Sequence, residues 1–112
     1  MFDKLDKKFK RAWLKALRSN EFYQVSNKLR NEQEGRCCLG VACDVALREG
    51  KSKGQWSGSY FVHTSYDESR VTVPYGLAVD LHLSIEAADT LTRKNDAGVP
   101  FDRIANWISR NL

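Results

Sequence analysis

The sequence predicts an α+β domain that is mostly α: about five helices around a buried central helix, with one small antiparallel β-hairpin. Three observations predict it. The two ends of the chain carry apolar residues at spacings of three and four, the mark of amphipathic helices. The segment from Cys37 to Leu47 is apolar on almost every side, as a helix in the middle of a core must be. Two short stretches, Tyr60-Phe61-Val62 and Arg70-Val71-Thr72-Val73, are rich in aromatic and β-branched residues and flank a turn-like Ser65–Ser69. The 112 residues suit a single domain, 1–112, and 42% hydrophobic with 29% charged residues is ordinary globular composition.

The first helix is expected from Asp3 to Arg18. Leu5, Phe9, Ala12, Trp13, Ala16 and Leu17 fall on one side. Lys4, Lys8, Arg11, Lys15 and Arg18 fall within about 80° on the other. Leu14 is the one large residue out of place, and Ser19-Asn20 supplies a stop. Residues 21–36 are mixed and polar, with Phe22, Tyr23, Val25 and Leu29 as anchors of a turn or partial helix. The central helix is expected over Cys38–Arg48, ended by Gly50, with Gly40 allowing a close backbone approach. Residues 50–59 read as a flexible connection before the hairpin. Pro74 opens a short helix through Leu81. Ser84 caps the next helix, whose inner face is Ile85, Ala88 and Leu91, and Asn95-Asp96-Ala97-Gly98 breaks it. Pro100 opens the last helix, with Phe101, Ile104, Ala105, Ile108 and Leu112 on one stripe. Trp13, Cys38, Val41, Phe101, Ile104 and Ile108 are the expected core.

Charge is uneven. The net +4 divides into +5 over residues 1–20 and −1 over the remainder. Such asymmetry hints at an acidic partner for the first helix. No run of about 18 apolar residues exists to span a membrane. The early charges, Asp3 and Lys4, leave no apolar signal core, so the chain is expected to stay where it is made.

The candidate chemistry is thin. Cys37, Cys38 and Cys43 are an odd, clustered set that suits a reduced compartment. They lack the paired spacing of a zinc site, and neither His63 nor His82 has a partner at ligand spacing, so no metal is expected. Buried small hydrophobes are the competing reading, and apolar flanks at Leu39, Val41 and Val45 argue against an accessible nucleophile. Gly50-Lys51-Ser52 resembles the end of a phosphate loop, but Val45 stands where the upstream glycine is required. Asp44, Asp67, Glu68, Asp80, Glu86 and Asp96 form no spaced acid–base pair, and Asp96 reads as a turn former. No cofactor and no enzymatic activity are expected.

Two surfaces remain. The cationic face Lys4, Lys8, Arg11, Lys15 and Arg18 can follow a phosphate backbone or an acidic groove, or be a solvated face alone. The aromatic hairpin Trp56, Tyr60, His63, Tyr66 and Arg70 can stack on a nucleobase or a partner protein, or simply cover the core.

Several motifs run in a set order: Trp13…Tyr23-Gln24, Cys37-Cys38-Leu39-Gly40-Val41-x-Cys43-Asp44, Val73-Pro74, Leu81-x-Leu83-Ser84 and Asn95-Asp96-x-Gly98-x-x-Phe101-x-x-Ile104-Ala105. In these the chain resembles a group of small tailed-phage and prophage proteins of unknown function, over nearly its whole length. That group commonly reads Leu-Gly-Leu where this chain has Leu81-His82-Leu83, so a glycine-made helix end is not expected here. The resemblance implies a phage origin and expression in the cytoplasm of a bacterial host, and it carries no activity to transfer. The leading expectation is therefore an accessory protein that binds a host protein or a nucleotide-type ligand, with host defence or physiology as what it would counter. A nucleic-acid-binding module using the basic first helix is the alternative.

Overall fold

The computed structural model describes residues 4–64, 68–69 and 72–112. Five helices and a small three-stranded antiparallel sheet lie among these residues, so the domain is α+β and mostly helical. Helix α1 spans Lys7–Arg18 and α2 spans Cys38–Arg48. Strands β1 (Gly54–Ser57), β2 (Tyr60–His63) and β3 (Glu68–Ser69) follow. Helices α3 (Tyr75–Leu81), α4 (Ile85–Asp96) and α5 (Phe101–Asn111) complete the chain.

Helix α1 starts four residues later than its periodicity predicts. Asp6 turns the chain out of the helix and caps it, its carboxylate accepting the Phe9 N–H at 2.9 Å. The same carboxylate pairs with Lys51 at 2.9 Å, and Lys51 with the Phe9 N–H holds the Asp6 carboxyl below its usual range. Lys4 thus precedes the helix while Lys8, Arg11, Lys15 and Arg18 lie on it. The opposite face buries Phe9, Trp13, Ala16 and Leu17. Leu14, the exception to the pattern, is half-buried against the core.

Helix α2 runs through the middle, against α1 on one side and α4 on another. It buries Cys38, Leu39, Val41, Ala42, Cys43, Val45 and Ala46. A Cβ at Gly40 would collide with the Leu29 backbone carbonyl, so glycine is what lets residues 20–36 lie against the helix. Those residues form no helix. They hold only isolated bridges, Gln24 with Arg36 and Arg30 with Arg36, and Asn20, Asn27 and Glu34 all have positive φ. Leu29 is buried as expected, Phe22 and Val25 are half-buried, and Tyr23 is exposed.

The sheet corrects two expectations. Residues 54–57 are a strand and not part of a flexible connection. They pair with β2 in the register Gln55 with Val62 and Trp56 with Phe61. The tight turn is Gly58-Ser59, where Gly58 adopts φ 61°. Strand β2 also pairs with β3, through Phe61 with Ser69 and Val62 with Glu68. Glu68 and Ser69, expected within the turn, are thus strand, while Thr72 and Val73 of the expected second strand are not, and Arg70 and Val71 lie outside the described residues.

The C-terminal half follows its local signals. The Ser84 hydroxyl accepts the Ala87 N–H at 3.1 Å at the start of α4. Ile85 points outward instead of inward, because the buried face of α4 begins at Ala87 and continues through Ala88 and Leu91 to Asn95. His82 ends α3 in the left-handed conformation, φ 60° and ψ 36°, so the helix end is made without a glycine. All six expected core residues, Trp13, Cys38, Val41, Phe101, Ile104 and Ile108, are buried.

Candidate functional site

The basic face of α1 is exposed along its length. Lys4, Lys8, Arg11, Lys15 and Arg18 are all open to solvent. Among the described residues, none of the five has an acidic side chain within ion-pair distance. Arg18 alone is tied down, donating to Asn106 Oδ1 on α5 at 3.0 Å. Lys8 to Arg18 covers about 15 Å of helix axis. Beside it, α5 adds exposed Arg103 and Arg110, and Lys10 donates to the Ser109 carbonyl at 3.2 Å. The helix beneath is rigidly seated. Phe9 and Trp13 are fully buried and the Trp13 indole donates to the Cys38 carbonyl at 3.1 Å.

The cysteine segment is interior. All three thiols are free and buried. Burial pushes Cys37 up to about 11 and Cys38 and Cys43 well above their ordinary range. Cys37 Sγ accepts the Gly40 N–H at 3.4 Å, and Cys38 Sγ donates to the Leu91 carbonyl at 3.7 Å. Among the described residues no group of three or more His, Cys, Asp or Glu side chains could hold a metal ion.

Asp44, the one acid in α2, has a partner that sequence spacing does not show. It accepts from the buried Arg36 Nε at 2.6 Å and from the Trp56 indole at 3.0 Å. The Arg36 guanidinium also lies 5.2 Å from the Trp56 ring centre, and Arg30 lies 4.7 Å from it. An acid in an otherwise apolar helix was the available signal, since a buried carboxylate needs a donor.

That cluster ties the half-buried Trp56 into the fold and leaves only part of it open on the expected hairpin surface. The indole also meets Phe61 edge-on at 5.3 Å. His63 is buried as well, with Nε2 2.9 Å from Asp80 Oδ2, and Ser52 donates to the same oxygen at 2.6 Å. The carboxylate stands between serine and imidazole here, so the trio does not give the serine–histidine contact that activates a nucleophile. Burial would raise the Asp80 carboxyl, but the Ser52 and His63 hydrogen bonds outweigh it and hold it low. Tyr60, 40% exposed, keeps an outward ring. Tyr66 and Arg70 lie outside the described residues.

Asn95 and Asp96 act as fasteners. Asn95 is buried; its Oδ1 accepts from Gln24 Nε2 at 2.9 Å and from the Cys38 N–H at 3.0 Å, and its Nδ2 donates to the Val25 carbonyl at 2.7 Å. Asp96 accepts the Asn27 N–H at 2.8 Å.

The fold and these residues thus define a mostly helical α+β domain in which Cys37, Cys38, Cys43, Gly40 and Asn95 lie in the interior, with half-buried Asp44 joined to it through Arg36 and Trp56. The chain belongs to the family described as a domain of unknown function, DUF8296, whose model matches residues 5–112. No curated protein and no solved structure matches the chain. Nothing in the family match or in the arrangement of the described residues indicates catalysis. No helix among the described residues is long and apolar enough to cross a membrane.

Proposed function

We propose that this protein acts by binding, and that the basic face of α1 takes the phosphate backbone of a nucleic acid. One observation carries the reading: Lys8, Arg11 and Lys15 stand exposed in register on a firmly seated helix, with no acidic partner among the described residues. Unpaired cations gain most from meeting phosphates, because counterions leave the duplex as they bind. Arg103 and Arg110 of α5 widen the positive field beside this face. The hairpin reading is weaker, since Trp56 and His63 are engaged inside the fold. In the phage setting that the resemblance implies, the nucleic acid would be met in the cytoplasm of the host.

The test is fluorescence anisotropy of labelled duplex DNA, single-stranded DNA and RNA across a salt series. Each phosphate contact contributes about −0.9 to the log–log salt slope on duplex DNA, so four or five contacts give about −3.6 to −4.5. Lys8→Glu with Arg11→Glu and Lys15→Glu abolishes binding and leaves the circular dichroism spectrum intact. Absence of binding at low salt for all three probes, or affinity that ignores salt, would sink the proposal.

A further inference from the structure

Large apolar side chains gather on the surface of α3 and α4. Tyr75 is 67% exposed, Val79 54% and Ile85 70%. Tyr75 and Val79 are one turn apart on α3. Tyr75 and Ile85 both line a groove of about 530 Å³ that also has Val73, Ala78 and Ala88 in its walls. These exposures are not forced by a lack of interior. The two helices already place Leu77, Leu81, Ala87 and Leu91 inside. Scattered exposed apolar residues are normal, but a contiguous patch around a groove marks a contact surface.

The rim is anionic. Glu68 and Asp89 line the groove, and Glu86 is exposed beside Ile85 in the first turn of α4. Asp89 pairs with Arg93. Glu68 and Glu86 have no ion pair among the described residues.

We propose that this groove docks an apolar segment of a partner protein flanked by lysine or arginine. The apolar positions supply the burial, with Tyr75 the type of residue that anchors interfaces. The Glu68 and Glu86 carboxylates, without an ion pair among the described residues, select basic flanks and set orientation. A second copy of this chain fits less well. A two-fold contact through the patch sets like carboxylates against each other. A head-to-tail contact with α1 offers the groove no large exposed apolar side chain, since the outward positions of α1 are charged. The same rim repels a nucleic-acid backbone, which makes this surface distinct in kind from the basic face of α1.

The experiment selects short random peptides displayed on yeast against the immobilised full chain, then measures the enriched peptides in solution. Enriched sequences are expected to combine two or three apolar residues with Lys or Arg. Ile85→Asp and, separately, Tyr75→Ser should weaken them about tenfold or more, with thermal midpoints unchanged because both side chains are outside the core. Glu68→Lys with Glu86→Lys should shift the selection away from basic peptides. Four results would overturn the proposal: no enrichment, enrichment of acidic peptides, equal binding by the Ile85 and Tyr75 variants, or a wild-type dimer that Ile85→Asp returns to monomer in sedimentation.

Discussion

Asn95 Oδ1 accepts the backbone N–H of Cys38 at 3.0 Å, so the last turn of α4 satisfies a donor in the first turn of α2. The same side chain holds the Val25 carbonyl and the Gln24 amide. Asn95→Ala leaves the buried Cys38 N–H and the half-buried Val25 carbonyl without this partner, while the Gln24 amide keeps the Val99 carbonyl. The expected loss is about 2–4 kcal/mol in urea denaturation, since each stranded buried group costs about 1–3 kcal/mol. Asn95→Asp does not rescue, because it turns an acceptor toward the Val25 carbonyl in place of the donor.

Asp44 is the nearer of two counter-charges of Arg36, at 2.6 Å against 3.5 Å for the exposed Glu34. Asp44→Ala leaves the buried guanidinium with only the exposed Glu34 and should cost up to about 3 kcal/mol, the low end for a broken buried pair. Arg36→Met with Asp44→Leu removes both charges and should be less destabilising than Asp44→Ala alone. A double variant as damaged as the single one would show that packing against Trp56, and not the ion pair, sets the cost.

His82 occupies a left-handed backbone conformation that a side chain resists. His82→Gly should raise stability by up to about 1 kcal/mol, the strain relieved exceeding the extra freedom glycine has when unfolded. The thermal midpoint reads this directly, and a fall on substitution would mean the imidazole makes a compensating contact.

The thiols are shielded by burial, which disfavours the reactive thiolate. Native protein at mildly alkaline pH should not react with Ellman's reagent on the timescale in which denatured protein reports all three cysteines. A rapid native reaction at any one of them would reopen the nucleophile reading.

Local signals were legible and non-local pairings were not. Gly50, Ser84 and Pro100 mark helix ends by their own conformational preferences, and α2, α4 and α5 start or stop beside them. The basic stripe was readable because exposure on α1 follows its period. The hairpin was displaced because β2 pairs with residues on both sides of it, and neither short strand declares its partner. Ile85 matched the inward period but stands two positions before the buried face of α4 begins. Asn95 was readable as a turn former only, since its partners lie 57 to 71 positions away. Asp96 has the same limit, through Asn27.

Gly40 makes room for the Leu29 carbonyl, but it provides no hydrogen bond to hold the segment there. Short-range bonds, Cys37 N–H to the Leu29 carbonyl and Arg36 to Asp44, hold one end of it, and Gln24, Ser26 and Asn27 fasten the other to residues 95–101 across separations of 69 to 77 positions. Closing loops of that size precedes any return from those contacts, so the contacts to residues 95–101 are expected to form after the helices have met. Damage at Asn95 will then surface mainly as faster unfolding, with the refolding rate little changed.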